Sequence, residues 1–268
     1  MSDRPHSDGP SQPGALAGRH VVVTRPEAQA GPFCKWLELA GARVTRFPAI
    51  EIRGPEDPGP LRTVMARLSG FDIAVFVSAN AVQRVVPGVQ SRGPWPRRLR
   101  IAAIGASTAR TLEVLGLPPD IVPESRFDSE ALLESDALQT VAGLRVVIFR
   151  GDGGREHLAT TLRSRGAEVV YAEAYRRALP EIDREPLCTA LQAGNVDTIT
   201  VTSSESLQNL VTMVGTESRE ALRRTALVVG ARRVAAKANE LGWRASVVTA
   251  EDPTDAAMFR AVLAQFGS

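Results

Sequence analysis

Short runs of consecutive apolar residues alternate along this chain with longer segments in which apolar residues recur every three or four positions. The runs His20–Thr24, Ile73–Val77 and Arg100–Ile104 have apolar centres and are followed by turn-forming residues. Such runs are typical of parallel strands that are buried on both faces. The segments between them have the spacing of amphipathic helices. This alternation predicts an α/β fold with doubly wound parallel sheets.

The segment after the first run illustrates the helical pattern. Phe33 and Leu37 mark one face, and Gly41 stands where a helix would end in a left-handed conformation. Pro26 suits a first helical turn. Pro32 would remove a hydrogen bond inside the helix, so we expect the helix to begin after Pro32.

The chain also contains an internal repeat. The segment that begins at Gly18 returns at Gly143, and the offset stays constant along both copies. The aligned pairs include Arg25 with Arg150, Gly41 with Gly166, Ser78 with Ser203 and Gly105 with Gly230. One register held over so many turn glycines and strand ends indicates a tandem duplication. We therefore expect two α/β units.

Composition narrows the class of protein. The chain has 268 residues, which suffices for two ordinary domains or one large one, and its shares of 44% hydrophobic and 23% charged residues are those of a soluble globular protein. No apolar run approaches the roughly 20 residues of a membrane span. Residues 1–17 have no apolar signal-peptide core and are expected to be a disordered tail. Cys34 and Cys188 give no disulfide framework, which favours a cytoplasmic location.

Several kinds of chemistry find no support in the sequence. A net charge of +2 and an aromatic share of 5% argue against nucleic acid as a partner. The histidines His6, His20 and His157 have no metal-ligand spacing, and His157 is expected on a solvated helix surface. Cys34 is expected to be a packed thiol. Gly151–Gly154 lacks the lysine of a phosphate-binding loop and the spacing of a dinucleotide motif.

Candidate ligand-binding residues follow the predicted strands. Ligands of open parallel sheets bind beyond the carboxyl ends of the strands, where helix N-termini present free N–H groups to anions. A single Ser or Thr in such a place is more often an N-cap, but here equivalent positions of both copies carry polar residues. The candidates are Thr24, Arg25, Ser78, Asn80, Gly105, Ser107, Thr108, Arg150, Gly151, Ser203, Ser204, Gly230, Arg232 and Arg233.

Taken in order, these segments resemble the uroporphyrinogen-III synthase family. The matching motifs are Val23–Pro26, Phe76–Val82, Ile104–Ala109, Arg150–Arg155, Gly166–Val169, Glu173–Arg177, Thr202–Ser204 and Val229–Gly230. Each motif is short, so their order and spacing from about Gly18 to Phe266 carry the resemblance. In one departure, Arg232 and Arg233 stand where the family often has hydroxyl groups.

The resemblance implies a lyase without a cofactor that acts on hydroxymethylbilane, a linear tetrapyrrole with many carboxylates. Members of the family close this substrate into a ring, with inversion of the terminal pyrrole and loss of water, through a spiro intermediate. Such catalysis works mainly by positioning. Tyr175 matches the tyrosine proposed to donate a proton to the leaving hydroxyl, and a phenol is protonated at neutral pH. The resemblance also implies a monomer, and hydroxymethylbilane synthase is expected to hand over the substrate.

The resemblance further implies that the two flavodoxin-like domains are not the two halves of the chain. One discontinuous domain is expected over 18–43 and 180–268, and the other over 55–168. Two linkers, 44–54 and 169–179, would join the domains and act as a hinge.

Three other interpretations stay open on the sequence alone. The same scaffold could be a non-catalytic sensor of a tetrapyrrole or another acidic ligand, and the unusual turn at Arg232 and Arg233 keeps this alternative open. A two-lobed solute-binding protein also has two α/β units, but it would be exported and would need a signal peptide. A phosphate-binding enzyme that uses Gly151–Gly154 would lack a general base at a suitable position.

Overall fold

The computed structural model describes residues 14–123, 128–154 and 156–267. The chain forms two compact units. Unit 1 comprises the chain up to Glu51 and from Ala178 onward, and unit 2 comprises Ile52–Arg177. The chain thus passes from one unit to the other after Glu51 and again after Arg177, within the predicted linkers 44–54 and 169–179. The hinge role of these segments stays a prediction.

Most of the predicted disordered tail, residues 1–13, lies outside the described residues. The prediction is wrong for Leu16, which is fully buried in the core of unit 1. The Leu16 N–H donates to the carbonyl of Ala40 at 2.8 Å, so burial and a backbone bond both hold this segment.

Unit 1 contains a five-stranded parallel sheet of β1 (His20–Val23), β2 (Arg43–Arg46), β8 (Thr198–Val201), β9 (Ala226–Val229) and β10 (Val247–Thr249). The strand order is β10-β9-β8-β1-β2. Counted along the unit, this is the flavodoxin-like order. Its helices are α1 (Glu27–Leu39), α8 (Glu185–Gln192), α9 (Ser204–Met213), α10 (Gly215–Arg223), α11 (Arg232–Glu240) and α12 (Asp255–Phe266).

Unit 2 contains a five-stranded sheet of β3 (Glu51–Arg53), β4 (Ile73–Phe76), β5 (Arg100–Ala103), β6 (Arg145–Gly151) and β7 (Glu168–Ala178). The order is β3-β7-β6-β4-β5, and the strands from β4 to β7 are parallel. Its helices are α2 (Gly59–Ala66), α3 (Ala79–Gln90), α4 (Ala106–Val114), α5 (Ser129–Glu134), α6 (Asp136–Gln139) and α7 (His157–Ser164). A 3₁₀ turn covers Leu68–Gly70.

Each sheet is covered on both faces, which explains the unbroken apolar runs. In β4, Ala74 and Phe76 enter the core cluster on one face, whereas Ile73 and Val75 enter the cluster on the other. All four side chains are fully buried. Successive strand residues point to opposite faces, so both sets must be apolar when helices cover both faces. The predicted doubly wound α/β fold is confirmed.

Helix α1 starts earlier than the sequence predicted. It begins at Glu27, and Pro32 lies inside it. Ala30, Phe33 and Leu37 are buried together in one core cluster, so the turn before Pro32 contributes apolar packing. This packing offsets the hydrogen bond that the proline removes. None of the helices in the described part of the chain has the length and apolar character needed to cross a membrane.

Candidate functional site

The structure divides the predicted binding residues between the two sheets. Because the strands of a parallel sheet all end at one edge, the candidates of each unit lie along the carboxyl-end edge of its own sheet. Unit 1 holds Thr24, Arg25, Ser203, Ser204, Gly230, Arg232 and Arg233. Unit 2 holds Ser78, Asn80, Gly105, Ser107, Thr108, Arg150, Gly151 and Tyr175. Each edge is the place where a doubly wound sheet binds ligands.

Equivalent serines cap the helices that follow β4 and β8. Ser78 is the N-cap of α3, and its Oγ accepts a hydrogen bond from the N–H of Ala81 at 3.2 Å. Ser203 is the N-cap of α9, and its Oγ accepts from the N–H of Ser206 at 3.0 Å. Both serines therefore hold a helix start, as the N-cap interpretation requires.

The helices that follow β5 and β9 start without a side-chain cap. Gly105 is the N-cap of α4, and Ala231 is the N-cap of α11; neither makes a side-chain hydrogen bond to its helix. First-turn N–H groups at such ends, together with the helix dipole, favour an anion. Ser107, Arg232 and Arg233 lie in these first turns and are exposed.

The side chain of Arg25 makes several contacts inside unit 1. Its guanidinium pairs with the carboxylate of Asp255 and donates to the carbonyl of Pro253 at 2.8 Å. It also lies 5.0 Å from the ring centroid of Phe33, and its side chain is 13% exposed. Thr24 is likewise buried, with its hydroxyl donated to the carbonyl of Thr200 at 2.8 Å. Both residues join β1 to neighbouring segments.

Tyr175 lies in unit 2 between two other predicted site residues. Its side chain is 3% exposed. The Ser78 hydroxyl donates to the phenol oxygen at 3.1 Å, so the phenol hydrogen stays available, with no acceptor among the described residues. On the other side the ring lies against Gly151, where a Cβ atom would be 2.8 Å from Cζ of the tyrosine. The ring is therefore fixed by contacts on both sides.

A β-bulge in β7 decides where Tyr175 points. Arg150 pairs with Glu173, but the next residue, Gly151, pairs with Tyr175, so Ala174 is an extra residue on β7. Regular alternation would place Tyr175 on the face of Glu173, which is exposed. With the bulge, Ala174 and Tyr175 enter the same core cluster, beside α3. Bulges commonly re-aim a side chain in this way.

Sequence reasoning missed a second tyrosine at this edge. Tyr171 donates its hydroxyl to Oε2 of Glu156 at 2.7 Å, and the guanidinium of Arg150 lies 3.9 Å from its ring centroid. Burial raises the pKa of Tyr171, and the bond to Glu156 adds to the effect. The hydrogen bonds from Tyr171 and Arg150 lower the pKa of Glu156. The aromatic residue four positions before Tyr175 was the available signal.

Two smaller predictions agree with the structure. Cys34 is fully buried, and burial raises the pKa of its thiol, although Arg46 partly opposes the shift. A buried thiol of raised pKa is a packing residue and not a nucleophile. His157 is exposed at the start of α7. Within the described ranges, no group of three or more His, Cys, Asp or Glu side chains is placed to hold a metal ion.

Comparison with known proteins gives one consistent family. The family model described as uroporphyrinogen-III synthase HemD matches residues 33–260. The uroporphyrinogen-III synthase of Escherichia coli is 34% identical over 244 residues, which cover 90% of this chain and 99% of that protein. The uroporphyrinogen-III synthase of Synechococcus elongatus is 35% identical over 199 residues, 72% of this chain and 74% of that protein.

Solved structures share the fold. A mutant uroporphyrinogen III synthase from Thermus thermophilus has a TM-score of 0.57 at 23% identity, covering 92% of this chain and 98% of its own. The uroporphyrinogen-III synthetase of Helicobacter pylori has a TM-score of 0.57 at 15% identity, covering 92% and 99%. At these identities the likeness concerns the fold, while the matched sequences decide the family. The chain belongs to the uroporphyrinogen-III synthase family.

Proposed function

We propose that this chain closes hydroxymethylbilane into uroporphyrinogen III, with inversion of the terminal pyrrole and loss of water, in tetrapyrrole and haem biosynthesis. Family membership over nearly the whole chain supports the reaction. The observation that carries the mechanism is the buried phenol of Tyr175, which accepts from Ser78 and keeps its own hydrogen to donate. No observation favours the sensor alternative.

The proposed catalysis is positioning with one proton transfer. The pyrrole nitrogens of the substrate can expel the terminal hydroxyl, and Tyr175 would donate a proton to that leaving group. The proton comes from the phenol oxygen and leaves with the hydroxyl as water. The remaining task is to hold the folded tetrapyrrole so that the substituted carbon of the last ring is attacked.

Each unit has an uncapped helix start that suits a substrate carboxylate, that of α4 in unit 2 and that of α11 in unit 1. The free N–H groups of these helix starts can donate hydrogen bonds to an anion without the help of a lysine. Arg232 and Arg233 are exposed at the start of α11, where the family often has hydroxyl groups, and would add a charge-assisted contact to a carboxylate.

The proposal extends to the location, the oligomeric state and the source of substrate of the enzyme. Both cysteines are buried and free, which fits a reducing cytoplasm. We expect the chain to act as a monomer that receives its substrate from hydroxymethylbilane synthase. Sedimentation of the purified protein, alone and mixed with that enzyme, tests both expectations.

The reaction is tested by generating hydroxymethylbilane in place with hydroxymethylbilane synthase and separating the porphyrin isomers after oxidation. We expect mainly isomer III. Isomer I alone, the product of spontaneous closure, would contradict the proposed function.

Tyr175→Phe tests the proton transfer. Because it removes the phenol hydrogen, we expect kcat to fall roughly hundredfold, the lower end of the range for a general acid. The ring stays, so the circular dichroism spectrum and the melting temperature should be close to those of the wild type. Full turnover by this variant would remove the proton-donor role and leave the assignment of the reaction intact.

A further inference from the structure

Arg150, Glu156 and Tyr171 form a closed triangle of contacts in unit 2. Nη1 of Arg150 donates to Oε1 of Glu156 at 2.9 Å, and Tyr171 donates to Oε2 of the same carboxylate at 2.7 Å. The third side is the stacking of the guanidinium over the Tyr171 ring at 3.9 Å. The Arg150 side chain is only 13% exposed, whereas the Glu156 side chain is 59% exposed, so the ion pair lies at the surface of the unit.

Arg150 and Glu156 stand on either side of the glycine turn, Gly151–Gly154, in the sequence. Arg150 and Gly151 are the last two residues of β6, and Glu156 is the N-cap of α7. Gly153 and Gly154 have φ of +66° and +121°, conformations that other residues rarely adopt. Glycines give the turn little conformational preference of its own, so its position depends on contacts made by its flanks.

The same turn contacts both the backbone and the ring of Tyr175. The Asp152 N–H donates to the Tyr175 carbonyl at 2.9 Å, and the Arg177 N–H donates to Oδ1 of Asp152 at 3.3 Å. Gly151 lies against the Tyr175 ring. A shift of the turn would therefore move both the backbone and the ring of Tyr175.

We infer that Arg150, Glu156 and Tyr171 are positioning residues, which fix the hydroxyl of Tyr175 through the glycine turn. Arg150 thereby acts inside the protein and not as a ligand of a substrate carboxylate. The catalytic consequence rests on the proposed function, but the geometric consequence does not. Misplacing a catalytic group by about 1 Å costs as much as a hundredfold in rate.

The surroundings of the Tyr175 ring can be followed by nuclear magnetic resonance, because the chain has only two tyrosines. A carbon-13 label at Cζ of tyrosine gives two signals, and Tyr171→Phe assigns them. In Glu156→Gln, which keeps the size but removes the charge, we expect the Tyr175 signal to shift. We also expect kcat to fall roughly tenfold with little change in KM.

Glu220→Gln is the matched control. Glu220 also joins two partners, Arg223 at 3.2 Å and Arg244 at 2.9 Å, but in unit 1. It should leave both tyrosine signals and the kcat unchanged. If Glu156→Gln does not fold, Tyr171→Phe replaces it, since it keeps the ring over Arg150 and leaves Tyr175 as the only reporter.

The outcomes are distinct. A Tyr175 signal that stays in place when the triangle is broken overturns the inference. A shifted Tyr175 signal in a protein whose wild type yields only isomer I supports the positioning and contradicts the proposed function.

Discussion

Gly151 and Tyr175 fit together at contact distance, and this pair explains why glycine stands at the end of β6. A Cβ atom at position 151 would lie 2.8 Å from Cζ and 2.9 Å from Cε2 of the tyrosine. Real Cβ atoms do not approach that closely. Since the ring is nearly fully buried, it could yield only by leaving its contact with Ser78.

Gly151→Ala should therefore displace Tyr175. We expect a loss of kcat comparable to that of Tyr175→Phe, and an overpacking cost of about 1–3 kcal/mol in the free energy of unfolding. The control is Gly31→Ala, because Gly31 lies within α1 and its Cβ would meet nothing within 4 Å apart from its neighbours along the helix. Alanine favours a helix interior by roughly 0.5–1 kcal/mol, but the new Cβ would lie beside Cδ of Pro32, which opposes this gain. That variant should therefore keep the wild-type kcat and change the free energy of unfolding little. Normal activity of Gly151→Ala would contradict the contact.

Tyr171 provides a prediction of pH dependence. Burial, and then the bond to Glu156, raise its pKa above the ordinary value. A raised folded-state pKa contributes stability below the ordinary pKa of about 10, and this stability is lost as the pH rises through the folded-state value. The free energy of unfolding should thus fall more steeply above about pH 10 in the wild type than in Tyr171→Phe. Denaturant titrations at a series of pH values above about 10 measure this dependence. Equal pH dependence of the unfolding free energy in the two proteins would contradict the raised pKa of Tyr171.

At the scale of elements, glycines end equivalent helices in the same way. Gly41 after α1 and Gly166 after α7 have φ of +95° and +87°. Their N–H groups donate to Glu38 and Arg163, and the next residues donate to Leu37 and Leu162. This is the Schellman pattern, which satisfies the last carbonyls of a helix.

Gly166 carries a second constraint that Gly116, which ends α4, does not. A Cβ at 166 would lie 3.2 Å from Cα of Ala142, whereas nothing lies within 4 Å at 116, where φ is +75°. Gly116→Ala should cost only the left-handed conformation, about 1–2 kcal/mol. Gly166→Ala should cost more, by up to about 3 kcal/mol in all. Equal losses of unfolding free energy in the two variants would show that the contact with Ala142 relaxes at no cost.

At the scale of the molecule, each unit combines the start of one copy of the repeat with the end of the other. Strands β1 and β2 of the first copy join β8 and β9 of the second, while β6 and β7 of the second join β4 and β5 of the first. The orders β2-β1-β8-β9 and β7-β6-β4-β5 are equivalent position by position. The two copies have thus exchanged halves.

We propose that the exchanged units are separate cooperative domains, which substitution of equivalent core leucines tests. Leu37 in unit 1 and Leu162 in unit 2 are fully buried at equivalent positions. Replacing either by Ala should cost about 2–5 kcal/mol. Leu37→Ala should speed hydrogen exchange in 198–262, which is distant in sequence, but not in 73–162. Leu162→Ala should do the reverse; exchange spread evenly over both ranges would contradict two separate domains.

Much of the fold follows from local sequence. Apolar runs such as Ile73–Phe76 predict buried strands because a strand covered on both faces must be apolar throughout. Gly41 and Gly166 predict helix ends because only glycine takes their conformation without strain. The repeat predicts two α/β units and polar residues at equivalent strand ends. The predicted start of α1 after Pro32 was wrong, because the packing of Ala30 and Phe33 outweighs the local preference of proline against a helix interior.

The site depended on contacts that no local pattern contains. The sequence by itself identified Tyr175, Ser78 and Gly151 as candidates, through motif order and position after strands. Only the tertiary structure placed them together, because the extra residue Ala174 turns Tyr175 to the other face of β7. Alternation along a strand tells which face of the sheet a side chain lies on only where the pairing register is regular. A bulge breaks that register, and it arises from the pairing of two strands and not from one strand alone. The partners of Arg150 were decided in the same way, by residues that meet only after the chain has folded.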